Sequence, residues 1–391
     1  MASAQRVILK KGKEKPILQR HPWIFSGAIH HFPACSNGEL LPVYSANDQL
    51  LGTGYFNHGM SLAGRMIAFG DADPLQRLNE LLSFALQMRQ YLFSFKETNA
   101  YRLVNGEGDG IPGLIIDVYD QVVVLQSCTH GVDRLKSQIV EWLKTNLQPR
   151  TIYEKSCSSA RRAEKLADQQ GLLYGDMQDE VTFKENGLRF TISLSNSQKT
   201  GFFLDQREMR LWVQHLARGK KILNAFSYTG AFSIYALAGK AASVDSVDIS
   251  QEALTQAQQH VQQNELSSTN CNFFCEDVFT FLRTRPLEYD IVILDPPAFA
   301  KKAKDVIAAC RGYKEINRLA MQKMPSKSLL LTTSCSYYVD EALFQKVLFQ
   351  SALEANRQVR IIGKHRYAPD HPINLFHPES QYIKSFLLFI E

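Results

Sequence analysis

The chain has 391 residues, 45% of them hydrophobic, which is too long for one typical core and too apolar for disorder to dominate, so two or three domains are expected. Lys and Arg outnumber Asp and Glu by 44 to 39, a formal charge of +5 that does not by itself indicate a polyanionic partner. Seven scattered cysteines without close C-x-x-C pairs exclude a zinc ribbon, and the N-terminus shows neither a signal-peptide core nor a bilayer-length apolar run; a reduced, cytoplasmic protein with no metal and no membrane contact is expected.

Placement of charge says more than its sum. Within the first twenty residues Arg6, Lys10, Lys11, Lys13, Lys15 and Arg20 face only Glu14, a basic cluster suited to phosphates. Residues 1–72 combine short alternating segments with frequent glycines and read as a small β-rich module. His21-Pro22-Trp23-Ile24-Phe25-Ser26-Gly27 follows the cluster directly, and this opening resembles that of the PUA domain, a compact β-barrel that binds structured RNA. Trp23 is therefore a candidate RNA contact, with filling of the barrel interior as the competing role.

From Asp73 apolar residues at helical spacing (Leu75, Leu78, Leu81, Leu82, Ala85, Met88) predict a helix leading into a second module, 73–194. Strands are predicted at Leu114 to Val118, Val122 to Ser127 and Ile152 to Lys155, with a helix near Val132 to Leu147. A hairpin over Val181 to Leu194 turns at Asn186-Gly187. This is a small α+β domain, and Arg161, Arg162 and Lys165 form a basic helical patch that either extends an RNA surface or is simply solvated.

After Asp205 strand and helix alternate, with strands at Lys221 to Phe226, Ala242 to Val247, Asn272 to Phe274, Tyr289 to Leu294, Ser328 to Thr333, Val359 to Gly363 and Tyr382 to Phe389. Such alternation predicts an α/β, doubly wound Rossmann-like domain over 195–391. The first strand ends in Asn224-Ala225-Phe226-Ser227-Tyr228-Thr229-Gly230, where a glycine before a helix start lets the backbone and its free amides approach a ligand. Asp248-Ile249 closes the second strand, placed to accept from both hydroxyls of a ribose, and Asp277-Val278 follows the third, placed at an adenine amino group and ring. Ligand contacts at three consecutive strand ends resemble class I methyltransferases and imply S-adenosyl-L-methionine as cofactor and S-adenosyl-L-homocysteine as product. A nicotinamide-dinucleotide enzyme carries a richer glycine loop.

Two further strand ends bear the chemistry. One apolar run stops at Asp295-Pro296-Pro297-Ala298-Phe299, and the next runs into Ser334-Cys335-Ser336. An aromatic residue directly after the two prolines suits amino-group methylation; here Ala298 intervenes. Cys335 favours carbon methylation, in which a thiolate adds to C6 of a pyrimidine and makes C5 nucleophilic. Asp295 and Cys335 are thus the candidate catalytic pair, with Pro296, Pro297 and Phe299 at the base.

Taken together with Tyr101-Arg102-Leu103, Asp109-Gly110-Ile111-Pro112-Gly113, Lys199-Thr200-Gly201-Phe202-Phe203-Leu204-Asp205-Gln206-Arg207 and Arg311-Gly312-Tyr313-Lys314-Glu315-Ile316-Asn317, these motifs resemble the bacterial 23S rRNA cytosine-5 methyltransferases of the ribosomal large-subunit methyltransferase I family, nearly end to end. The resemblance implies a PUA domain, a central domain and a methyltransferase domain. It places Lys199, Thr200, Phe202, Phe203, Asp205, Gln206 and Arg207 around the cofactor or target base, makes Cys335 the nucleophile, and sets Asp295 at the cytosine edge. It also implies 23S rRNA or a large-subunit precursor as partner, homodimerisation being left open. The chain departs from the family pattern at Ala298, where related enzymes hold a releasing cysteine or a lysine, and at Tyr337, where they hold glycine. Amino methylation of adenine or guanine, and a non-catalytic RNA-binding assembly factor, are the alternatives.

Overall fold

The computed structural model describes residues 5–197 and 199–391. The chain forms two compact units, one made of residues up to 187, 191–205 and 368–380, the other of 188–190, 206–367 and 381–391. This differs from three consecutive domains cut at 72 and 194. The first unit holds two separate apolar cores, and it recruits segment 368–380, which no local pattern assigns to it.

The first core belongs to a six-stranded sheet in the order Trp23–Phe25, Leu62–Phe69, Leu50–Phe56, Glu39–Tyr44, Val7–Leu9, Ile29–His31. Its two edge strands are joined only by the turn Ser26–Ala28. Six flat strands would put those edges about 24 Å apart, whereas the four residue steps from Phe25 to Ile29 span at most about 14 Å. The sheet must therefore roll toward closure, which gives the barrel-like module expected.

The second core lies on the five-stranded sheet Gln169–Gly175, Thr151–Ser156, Val122–Ser127, Leu114–Tyr119, Ala100–Asn105. Val122–Ser127 and Thr151–Ser156 pair in parallel, which requires a crossover, and helix His130–Leu147 supplies it. Helix Pro74–Leu92 begins on Asp73, whose carboxylate accepts from the amides of Leu75 and Gln76, and it buries Leu78, Leu82, Ala85 and Arg89. Arg89 is fully buried: it forks onto Asp109 and donates to the carbonyls of Arg102 and Asp370, each at 2.7 Å. Arg102 forks onto Asp117 (2.8 and 3.0 Å), its amide donates to Asp370 Oδ2 at 2.9 Å, and Asp117 also accepts from Thr200. The Tyr101-Arg102-Leu103 and Asp109-Gly110 motifs are thus a buried ionic frame that fixes segment 368–380 to its unit.

The basic patch at 161–165 is corrected in part. Arg161 is buried, forks onto Asp133 and donates to the carbonyls of Ser127 and Ala167, so it cannot meet RNA. Burying the guanidinium under those four acceptors leaves Arg162, paired with Asp168, and Lys165 just beyond the helix as the exposed basic residues of the patch.

In the second unit the elements run α1 (Arg207–Leu216), β1 (Lys221–Ala225), α2 (Ala231–Ala238), β2 (Ser243–Asp248), α3 (Gln251–Gln263), β3 (Cys271–Cys275), α4 (Val278–Thr284), β4 (Ile291–Leu294), α5 (Val306–Lys323), β5 (Ser328–Ser334), α6 (Glu341–Glu354), β6 (Val359–Lys364) and β7 (Lys384–Ile390). The sheet order is β3-β2-β1-β4-β5-β7-β6, parallel throughout β3 to β5, with β7 antiparallel to both neighbours. Strands β1 to β5 are separated by helices and so run parallel; β7 enters after an irregular excursion with no crossover helix, and pairs antiparallel. The order reverses between β1 and β4, and in open α/β sheets ligands bind in the crevice at that switch, beyond the strands' carboxyl ends. Cys271 is buried, whereas Cys275 is exposed, because β3 is the edge strand and ends there.

Candidate active site

The carboxyl end of β1 is a strained loop. Phe226, Tyr228 and Gly230 have φ of 62°, 47° and 77°, the left-handed region that non-glycine residues enter at an energetic cost and that clusters at functional sites. A Cβ on Gly230 would lie 2.7 Å from that of Ala257, so glycine is required twice over, by conformation and by space. Gly230 caps α2 without a side-chain acceptor, leaving the helix's first amides as donors. Asn224 is buried, and its amide donates to Ser233 Oγ at 2.9 Å while its Oδ1 has no partner; the buried hydroxyl of Ser227 has none either. Buried polar atoms left unsatisfied at a strand end call for a ligand.

Asp248 is half-buried at the end of β2, its two oxygens accepting from the amides of Tyr228 (2.8 Å) and Ser250 (2.9 Å). One amide on each oxygen leaves lone pairs for two hydroxyls. Asp248 does not cap α3; Ser250 does, through its Oγ. Asp277 caps α4, accepting from the amide and the hydroxyl of Thr280, and stays exposed. Ile249 is 75% exposed beside Asp248, whereas Val278 is buried in the core. The residues present therefore fit an adenosine with an attached amino acid: acceptors for ribose and adenine, amide donors and buried acceptors at β1 for the amino-acid end.

The second cluster lies at the ends of β4 and β5. Gln206 directs its amide at both oxygens of Asp295, 3.2 Å from each, and so fixes the carboxylate's orientation. Cys335 is half-buried just after β5, its thiol donating to the carbonyl of Pro296 at 3.5 Å, so the two motifs touch. Pro296 is buried and Pro297 exposed. Ser336 braces the turn: its Oγ takes the Ala300 amide at 3.0 Å and meets the Tyr313 hydroxyl at 2.9 Å. Burial pushes the phenol of Tyr313 up, and a charge on Cys335 pushes the same way.

Several expected contacts are placed elsewhere. Phe299 is half-buried, packing its ring on Tyr313 (4.6 Å between centroids) and against Gly312, in an aromatic row continued by Phe279 and Phe344 at the margin of the core. Arg207 is buried at the first position of α1. Within the other unit, Lys199 is exposed with its ammonium 4.7 Å from the ring centre of half-buried Phe203, and the neighbouring Phe202 amide donates to the Tyr119 hydroxyl. Trp23 is half-buried; its indole donates to Glu107 at 3.0 Å and its ring abuts His377 at 4.3 Å, so it packs against these two residues and not into the apolar core of the barrel sheet. Lys10, Lys11, Lys13 and Arg20 are exposed. Among the described residues, His21, His377 and Glu379 are the one set of ligand atoms close enough to share a cation, within 4.8 Å, and no helix is long and apolar enough to cross a membrane.

The sequence reading missed Lys384, the first residue of β7. It is buried, and its ammonium donates to the carbonyls of Ser336 (2.7 Å) and Tyr382 (2.8 Å). A lone lysine opening an apolar strand was the available signal.

Residues 168–372 match the family of S-adenosylmethionine-dependent methyltransferases, and residues 7–69 match the PUA-like domain. A curated protein of Pseudoalteromonas atlantica named ribosomal RNA large subunit methyltransferase I is 39% identical over 390 residues, covering 98% of this chain and 99% of that protein. One of the same name from Escherichia coli O139:H28 is 36% identical over 97% and 98% of the two chains. Among solved structures, the methyltransferase SMU.776 complexed with SAH superposes with a TM-score of 0.85 at 25% identity, covering 98% of this chain and 99% of that one. A SAM-dependent methyltransferase from Streptococcus mutans gives 0.82 at the same identity and coverage. The match of motif, fold and full-length similarity leads to one conclusion: the chain belongs to the ribosomal RNA large subunit methyltransferase I family of S-adenosylmethionine-dependent methyltransferases.

Proposed function

We propose that the protein methylates C5 of a cytosine in 23S rRNA, or in a large-subunit precursor, in the cytoplasm. The observation that carries this reading is the thiol of Cys335 at the end of β5, in contact with the Asp295-Pro296 strand end and half accessible. A nucleophile and a carboxylate at adjacent strand ends suit a flat base presented edge-on. An aromatic residue directly after the two prolines would suit amino methylation; here Ala298 stands in that place, and half-buried Phe299 rests its ring on Tyr313. S-adenosylmethionine supplies an electrophilic methyl group when bound. Asp248 and Asp277 would hold its ribose and adenine, and Asn224, Ser227 and the start of α2 its amino-acid end.

Asp295, oriented by Gln206, would accept from the cytosine amino group and fix the ring edge. The Cys335 thiolate adds to C6, and the electron pair of the C5–C6 bond becomes available at C5 for the methyl group. Loss of the C5 proton to a base then restores the double bond and expels the thiolate, so no group is consumed beyond the methyl. With Ala298 where a releasing cysteine could stand, another group takes that proton.

The name of the relatives supports ribosomal RNA as the substrate class, and the exposed Lys10, Lys11, Lys13 and Arg20 on a PUA-like module support RNA contact. The test is Cys335→Ser, which should abolish methyl transfer to rRNA with cofactor binding intact, a hydroxyl being almost never ionised near neutral pH. RNA with 5-fluorocytosine at the target should trap the wild-type enzyme as an adduct mapping to Cys335. Robust transfer by the serine variant, or an adduct on Cys310, would refute the reading.

A further inference from the structure

We propose that Lys384 is the positioning residue that makes Cys335 a nucleophile: its ammonium, fixed at the Ser334-Cys335-Ser336 turn, stabilises the thiolate. The proposal rests on the assignment of Cys335 as the attacking group. Lys384 lies directly opposite Ser334 in the β5–β7 ladder, and its side chain reaches along the turn to the carbonyl of Ser336. It thus brackets Cys335, engaging the residue before it through the backbone pairing and the residue after it through the ammonium.

Two carbonyls consume two of the three ammonium protons, and neither neutralises the charge. Among the described residues no carboxylate lies within ion-pair distance of Lys384. A buried, uncompensated ammonium is expensive for a fold to hold, so its retention calls for a transient anion as partner. Burial pulls the ammonium down to about 8, while the charge of Cys335 is the largest influence in the opposite direction, ahead of Asp340. Among the described residues, the other titratable groups around the turn are Asp295 after β4, Tyr313 on α5, Tyr337 and Tyr338 directly after Ser336, Asp340 and Glu341 at the start of α6, Lys364 of β6, Tyr382 before β7, and His365, which meets Ser385 of β7 at 3.0 Å. Lys384 is the one buried cation of this set. Cys310, by contrast, sits on α5 with its thiol pushed up by burial and no cation counted among the influences on it.

The test reads thiolate formation without needing turnover. Iodoacetamide alkylation of the full-length protein is followed between pH 5 and 9 on the Cys335 peptide by mass spectrometry, for wild type, Lys384→Arg, Lys384→Gln and Lys384→Met. In wild type the inflection should fall at least one unit below the ordinary thiol value of about 8.5. Gln and Met should move it up, slowing alkylation at pH 7 about tenfold or more, with Arg retaining most of the rate. Gln keeps a donor for one carbonyl, so it separates loss of charge from loss of the fold. A wild-type inflection at or above 8.5, or the same profile in a folded Gln variant, overturns the proposal. Failure of the carbon-methylation reading looks different: Cys335→Ser would remain active while the alkylation profiles still shift.

Discussion

Asp248 ties two loops together through one carboxylate. Its oxygens already hold the Tyr228 and Ser250 amides, so replacing it removes a brace of the left-handed loop as well as the acceptor we propose for the ribose. Each charge-assisted bond contributes roughly 1.5 to 3 kcal/mol, so Asp248→Ala should weaken S-adenosylmethionine binding tenfold or more. Calorimetry on the full chain measures this, and unchanged affinity in a folded variant would remove Asp248 from the site. Asp248→Asn, which keeps one acceptor, should fall between. Gln206 makes the complementary case: it touches Asp295, so Gln206→Leu should lower kcat for methyl transfer severalfold while leaving cofactor affinity nearly unchanged.

At the scale of the element, β7 shows how a strand can be held at a stability cost. The Lys384 ammonium titrates at 10.5 when free in solution and at about 8 in the fold. Between those values the unfolded chain binds a proton that the folded chain lacks, so stability rises with pH across that window. The cost of burying the charge is present in full below about pH 8 and is gone above 10.5. Across the whole window it amounts to roughly 3 kcal/mol. Wild type should therefore gain stability relative to Lys384→Met as pH is raised from 7.5 to 9.5, read from denaturant midpoints; a constant difference would show that the ammonium is not buried. The basic segment at the N-terminus offers a second element-scale case. Lys10, Lys11 and Lys13 are exposed, so changing all three to Ala should weaken RNA binding and flatten the slope of log K against log salt by about 2 to 3. An unaltered slope would reduce the cluster to a solubility feature.

At the scale of the molecule, the excursion 368–380 divides the last forty residues between the two units. A fragment beginning at 195 would strip Asp370 from Arg89 and Arg102, so cofactor binding is properly measured on the whole chain. Arg89→Met leaves Asp109 buried without its fork, and breaking such a buried pair from one side costs about 3 to 5 kcal/mol. The first unit should then unfold at lower denaturant than in wild type, while tryptophan-independent probes on the second unit report a smaller change. Equal destabilisation of both would mean that the two units unfold as one.

Much of this organisation was legible along the chain. The alternation of strand and helix marked β1 to β5 within a few residues, because parallel strands buried on both faces read as apolar runs. Strand ends then placed Asp248, Asp277, Asp295 and Cys335 on one sheet edge by topology alone. What the sequence could not supply were partners distant in number. That Arg161 is buried on Asp133, that Phe299 turns inward to Tyr313, and that Trp23 rests on Glu107 and His377 depend on which surfaces meet, and local pattern carries no term for that. The same holds for Lys384: its strand was visible in the sequence, but only the antiparallel register of β7 against β5 sets a buried ammonium beside the cysteine. Element identity follows from short-range periodicity and was fixed by the residues themselves; charge pairing in the interior follows from long-range packing and was decided by the tertiary structure.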